Sequence, residues 1–124
     1  MFKKFVLLAL FFSQYLSAED SIVGKWKGQS NSTEYVYSIE LTQMGKDIYL
    51  SYVFIYDRGR KINDHTSEKV LLKKASPQCW SGEVNDFFND EKTMVTLCKK
   101  NELLVWETEL SILYVPEFEN FIRE

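Results

Sequence analysis

The side chains best suited to bind another molecule fall in two polar stretches, residues 57–68 and 85–92. The first carries Arg58, Arg60 and His65, the one histidine of the chain. Guanidinium groups bind carboxylates and phosphates through paired hydrogen bonds, and a loop histidine can serve as a general base. No partner nucleophile or substrate pocket is recognisable beside His65. We therefore predict a solvated loop and no enzymatic activity. If it has a function, the loop contacts an acidic partner or an anionic head group.

Phe87 and Phe88 stand at the tip of the second stretch, among acidic residues. Successive residues of a strand point to opposite faces, so both rings cannot point inward. Either one ring covers the mouth of the domain, or the pair forms an apolar patch that contacts a partner. The surrounding oxygens lack the glycine-containing spacing of an EF-hand loop. We therefore predict an acidic turn without a metal, and no cofactor.

The two cysteines, Cys79 and Cys98, are placed symmetrically about this turn. If they face each other across a hairpin, its centre falls between Phe88 and Asn89. An even cysteine count in an exported protein favours a disulfide, which would stabilise the fold by about 3 kcal/mol. The alternative is a pair of buried free thiols. A zinc site is not expected, because a Cys-x-x-Cys motif is missing.

Residues 1–18 have the order of a secretory signal peptide: Lys3-Lys4, the apolar run 5–12, and Ser17-Ala18. The run is too short to span a bilayer, which needs about 20 residues. We predict cleavage after Ala18, a periplasmic or secreted protein, and no stable membrane insertion. Neither the source organism nor the oligomeric state follows from the sequence.

Removal of residues 1–18 leaves 106 residues, enough for one domain, residues 19–124. The shorter chain has 13 basic and 18 acidic residues, a net charge of −5. This charge disfavours binding to nucleic acid or to anionic lipid.

Apolar and polar residues alternate with the period of a strand through most of this domain. Residues 48–56 are apolar on both faces. We expect a further strand at residues 110–115, followed by a short apolar tail of at most one helical turn at 118–122. Seven or eight short antiparallel strands must hide their edges. The short sequential turns favour an all-β, up-and-down barrel that contains one disulfide hairpin.

The first strand contains Gly24-Lys25-Trp26, which resembles the Gly-x-Trp of lipocalins and their relatives. The chain is also similar in layout to small exported bacterial lipocalin-like barrels. The resemblance implies that Trp26 closes one end of the barrel and that a late basic residue, here Arg123, packs over it. It further implies an open end that takes a small apolar ligand.

Two functions are expected from these features. The first is a non-enzymatic exported binding protein that holds a small apolar or amphipathic ligand inside the barrel. The alternative is an inhibitor or immunity-type protein that binds and neutralises another exported protein, such as a cell-wall hydrolase. The two differ in whether the interior is open or is filled by its own side chains.

Overall fold

The computed structural model describes residues 21–124. The predicted signal peptide and its cleavage site therefore lie outside the described residues. Within residues 21–124, no helix reaches the length and hydropathy that a membrane-spanning helix needs.

Eight antiparallel strands follow one another through the described chain and close into a barrel. Each strand pairs with its neighbours in sequence, and the last strand pairs with the first. This closure hides the sheet edges and confirms the predicted all-β, up-and-down barrel. The strands are β1 Gly24–Gly28, β2 Val36–Met44, β3 Asp47–Tyr56, β4 Lys61–Ser76, β5 Cys79–Asp86, β6 Glu91–Lys100, β7 Leu103–Thr108 and β8 Phe118–Arg123.

The disulfide hairpin is the part of the fold that the sequence located best. Cys79 lies directly opposite Cys98 on β5 and β6, and the two are bonded. Asp86 lies opposite Glu91 at the far end of the same ladder. The centre of the hairpin therefore falls between Phe88 and Asn89, as predicted.

The prediction of a loop at residues 57–68 is wrong for most of this range. A short 3-10 turn occupies Asp57–Gly59, and β4 already begins at Lys61. Asn63 and His65 point into the barrel and are buried, while their neighbours are exposed. The strand thus keeps its period of two with polar side chains at the inward positions.

The expected strand at residues 110–115 is also wrong. This segment forms a turn that leads to β8, and Tyr114 has a positive φ of 60°. The apolar tail is the eighth strand instead of a helical turn. Phe121 pairs with Leu104 of β7 on one side and with Gly28 of β1 on the other, because only a strand here can join the two edges.

Aromatic side chains from opposite walls meet inside the barrel. Phe54 of β3 and Trp106 of β7 lie four strands apart in the ring, yet their ring centres are 5.4 Å apart. Trp106 also packs on Phe121, at 5.8 Å. All three side chains are fully buried. At this level the barrel is filled by its own side chains.

The end of the barrel at which β1 begins and β8 ends, called here the closed end, is covered by Trp26 and Arg123. Trp26 is fully buried and donates its indole N–H to the carbonyl of Ile22 at 2.9 Å. The Arg123 guanidinium carbon lies 4.3 Å from the centre of the indole ring, a cation–π contact. Gly24 permits this approach, because a Cβ there would lie 3.0 Å from Arg123 Nη1.

A wide bulge interrupts the wall between β3 and β4. Tyr52 pairs with His65 and Leu50 pairs with Val70, so residues 66–69 all stand opposite the single residue Ser51. The Ser51 hydroxyl donates to the carbonyl of Glu68 at 2.9 Å. In the described chain, β4 pairs with β5 only through residues 73–76. Residues 61–72 of β4 and 82–86 of β5 form no ladder pairs with each other, and side chains connect the two strands there instead.

Candidate functional site

Four connections lie together at the end of the barrel opposite Trp26, because consecutive strands alternate in direction. We call residues 29–35, 57–60, 87–90 and 109–117 the rim. Both stretches singled out from the sequence contribute to it. Phe88 packs on Tyr114 with ring centres 5.0 Å apart, and the Lys61 ammonium lies 5.4 Å from the centre of the Phe88 ring.

The two phenylalanines at the hairpin tip are exposed to solvent. Phe87 is 62% exposed and Phe88 is 48% exposed. The turn beneath them is fixed by the buried carboxylate of Asp86, which accepts hydrogen bonds from the Phe88 N–H at 2.8 Å and from the Asn89 amide at 2.7 Å. Leu110 and Leu113, on the neighbouring connection, are also exposed. The rim thus presents an apolar surface on a rigid turn.

The two arginines at the rim have different partners. Arg58 donates from Nε and Nη2 to one carboxylate oxygen of Glu34, at 3.0 and 2.7 Å. This pair ties the β3–β4 connection to the β1–β2 connection, although an exposed ion pair contributes only about 0–1 kcal/mol. Arg60 makes a longer contact of 3.9 Å with Asp57, and its side chain is largely exposed.

His65 is not in a solvated loop, as its polar neighbours suggested, but is 2% exposed on the inner face of β4. Its imidazole is stacked between Tyr52 and Phe87, with ring centres 4.5 and 4.7 Å away. Nδ1 lies 2.8 Å from a carboxylate oxygen of Glu68, and Nε2 lies 2.9 Å from Oδ1 of Asn63. The bulge at residues 66–69 brings Glu68 back onto the ring.

Two side chains that the sequence did not single out make hydrogen bonds to β5: Tyr52 from β3 and Asn63 from β4. The Tyr52 hydroxyl accepts the Asn85 N–H at 2.9 Å and lies 3.1 Å from Oδ1 of Asn85. Asn63 donates to the carbonyls of Asn85 and Tyr114, and it accepts the N–H of Phe87. These side chains replace missing ladder bonds. The sequence gives no signal for these side chains, because Ile62, the apolar residue of the stretch 61–65, lies on the exposed face of β4.

The tyrosines below the rim stay protonated far above neutral pH. Burial raises the pKa of the Tyr52 hydroxyl to about 12. Burial also raises the pKa of Tyr37 and of Tyr56. Their hydroxyls therefore remain neutral hydrogen-bonding groups under physiological conditions, and they carry no charge toward a molecule bound at the rim.

The barrel, with a buried tryptophan under a late arginine, is consistent with a lipocalin-like fold. No protein-family model matches the chain, and comparisons with curated proteins and with solved structures find no significant match. The class defined here is therefore structural: an eight-stranded antiparallel barrel with one disulfide and an apolar rim.

Proposed function

We propose that this chain is an exported, non-enzymatic interaction protein that binds another exported protein through its rim. The observation that carries the proposal is the exposure of Phe87 and Phe88 on a turn whose backbone is held by Asp86. Aromatic side chains are over-represented among the residues that dominate protein–protein binding energies. A rigid turn also reduces the entropy that is lost when such residues are buried by a partner.

The interior supports this choice over a ligand held within the barrel. Phe54 and Trp106 touch across the full width of the barrel, and both are fully buried. A ligand at that level would have to separate these rings and expose apolar surface that the fold now buries. The rim offers binding surface without that cost.

The shape of the rim favours a concave partner. Phe87 and Phe88 project at a hairpin tip and are exposed. A cleft that has an apolar floor would bury the two rings. The active-site cleft of a cell-wall hydrolase is one example, and an inhibitor or immunity-type role would follow from its obstruction.

A comparison of two double variants tests the proposal. Immobilised wild-type protein should retain a stoichiometric partner from the exported proteins of the source cells, and the Phe87→Ser, Phe88→Ser variant should lose it. Met44→Ser with Leu71→Ser is the matched control, because it also removes two exposed apolar side chains, but away from the rim. Equal retention by both variants, or copurification of a lipid-like molecule without a protein, would contradict the proposal.

A further inference from the structure

The orientation of the Asn63 amide is fixed by backbone groups of the rim. Its Nδ2 lies 3.1 Å from the carbonyl oxygen of Asn85 and 2.9 Å from that of Tyr114, and carbonyl oxygens can only accept. Its Oδ1 lies 3.1 Å from the N–H of Phe87, which can only donate. The reverse orientation would break all three hydrogen bonds.

This orientation determines where the protons of His65 lie. Nε2 is 2.9 Å from Asn63 Oδ1, an acceptor, so Nε2 must carry a proton. In a neutral ring, Nδ1 would then be an acceptor, and it lies 2.8 Å from a carboxylate oxygen of Glu68, also an acceptor. Two lone pairs at this distance repel each other. The contact between His65 and Glu68 therefore requires one further proton.

Two aromatic rings face the imidazole, and charged side chains lie near it. Tyr52 of β3 faces one side of the ring, and Phe87 faces the other, so a charged imidazole makes cation–π contacts with both. The acidic residues of β4 itself are Asp64 and Glu68, and its basic residues are Lys61, Lys69, Lys73 and Lys74. Asp86 of β5 directs its carboxylate to its own turn.

We propose that His65 and Glu68 form a proton-dependent latch that holds Phe87 in its binding position, so that the rim binds its partner more tightly at acidic than at alkaline pH. The effect on binding rests on the proposed function. Loss of the shared proton makes the two side chains repel, releases Glu68 with the exposed bulge at residues 66–69, and removes the cation that faces Phe87. A cation–π contact of about 1 kcal/mol corresponds to an about fivefold change in an equilibrium constant.

Nitrogen NMR of the free, ¹⁵N-labelled protein tests the latch directly, because His65 is the one histidine of the chain. At pH 5, both ring nitrogens should have the shifts of protonated nitrogen. As the pH is raised from 5 to 9, the latch requires that Nδ1 lose its proton while Nε2 keeps its own. The protection of the Phe87 amide against hydrogen exchange should fall about fivefold with the same midpoint.

Glu68→Gln is the matched control, because its amide can donate to Nδ1 without an extra proton and the residue is half exposed. In this variant, the Phe87 amide should keep its protection across the His65 titration. The latch is wrong if Phe87 does not follow His65 in the wild type, or if it follows equally in Glu68→Gln. These readouts use the protein alone, so they are independent of whether a partner binds the rim.

Discussion

Both ends of the barrel stack a basic side chain on an aromatic ring, but the two side chains differ in kind. At the closed end, the Arg123 guanidinium lies 4.3 Å from the centre of the Trp26 ring. At the rim, the imidazole of His65 lies 4.7 Å from the centre of the Phe87 ring. A guanidinium is always protonated in proteins, whereas an imidazole gains and loses its proton near neutral pH.

The hydrogen-bond partners of Arg123 and His65 also differ in kind. Arg123 donates to the backbone carbonyls of Val23 and Ser21, which are permanent acceptors. His65 depends on the side chains of Asn63 and Glu68. The contacts of Arg123 are therefore independent of any side-chain proton, whereas the proposed latch at His65 depends on one. This contrast agrees with the proposal that the rim binds a partner and that the closed end supports the fold.

The largest effect on stability is expected from a substitution at the closed end of the barrel. Trp26→Ala removes a fully buried indole and leaves a cavity beneath Arg123. We expect the free energy of unfolding to fall by about 3–5 kcal/mol, a large part of the stability of a domain this size. Urea unfolding followed by circular dichroism measures the loss. Wild-type stability in this variant would show that the indole does not support the core.

Reduction of the disulfide should have the next largest effect. Cys79–Cys98 closes the hairpin that carries the rim residues Phe87 and Phe88. Its loss should lower stability by about 3 kcal/mol, because the unfolded chain gains freedom. Thermal unfolding with and without reductant measures the shift, and Cys79→Ser with Cys98→Ser should match the reduced protein. Two titratable thiols in the unreduced, unfolded protein would contradict the bond.

Asn63→Ala tests whether the polar contacts of the rim also support the fold. The variant leaves the Phe87 N–H and the carbonyls of Asn85 and Tyr114 without their side-chain partner. Unsatisfied buried groups cost about 1–3 kcal/mol each. Because Phe87 is exposed and Asn85 and Tyr114 are only partly buried, water can replace part of these bonds, and we expect a total loss of about 2–3 kcal/mol in urea unfolding. Ile62→Ala, at the exposed neighbouring position, is the control and should cost far less. Equal losses would mean that the Asn63 contacts add nothing.

Tyr52→Phe tests how the stabilisation by a side chain near the rim depends on pH. The lost hydroxyl contacts with Asn85 should cost about 1–2 kcal/mol at pH 8. The pKa of Tyr52 rises from 10.0 in the unfolded chain to about 12 in the folded protein, so the hydroxyl holds its proton more tightly when folded. Its stabilisation is complete below pH 10 and is lost as the pH rises toward 12.

The difference in unfolding free energy between wild type and Tyr52→Phe isolates this effect. Tyr37 and Tyr56 are present in both proteins, so their contributions cancel. The difference should shrink steadily above pH 10, as measured by urea unfolding at several pH values. A constant difference from pH 9 to 11.5 would show that Tyr52 ionises equally in both states.

The sequence predicted those features that depend on local symmetry and on hydrophobic period. The placement of Cys79 and Cys98 about a polar turn was sufficient to locate the hairpin and its centre. The alternation of apolar residues was sufficient to predict a barrel. Each of these signals lies in one stretch of chain and needs no knowledge of distant contacts.

The buried polar residues of the rim could not be predicted in this way. His65 is buried because Tyr52, from β3, and Phe87, from the hairpin tip, cover its two faces. Asn63 is buried because it satisfies backbone groups on two other connections. Hydrophobic pattern assigns such polar residues to solvent. Only the register of β3, β4 and β5 shows that they face inward.

The smallest expected effect on stability is at the proposed binding surface itself. Phe87→Ser with Phe88→Ser removes two rings that are 62% and 48% exposed, and we expect a loss of about 1 kcal/mol, because Phe87 also covers one face of the buried His65. Phe54→Ser, the same substitution in the interior, should cost about 3–5 kcal/mol by analogy with large-to-small changes in cores. Urea unfolding of both variants makes the comparison. If the rim variant loses as much as Phe54→Ser, its rings belong to the core, and the exposed side chains that carry the proposed interaction would have to be sought elsewhere.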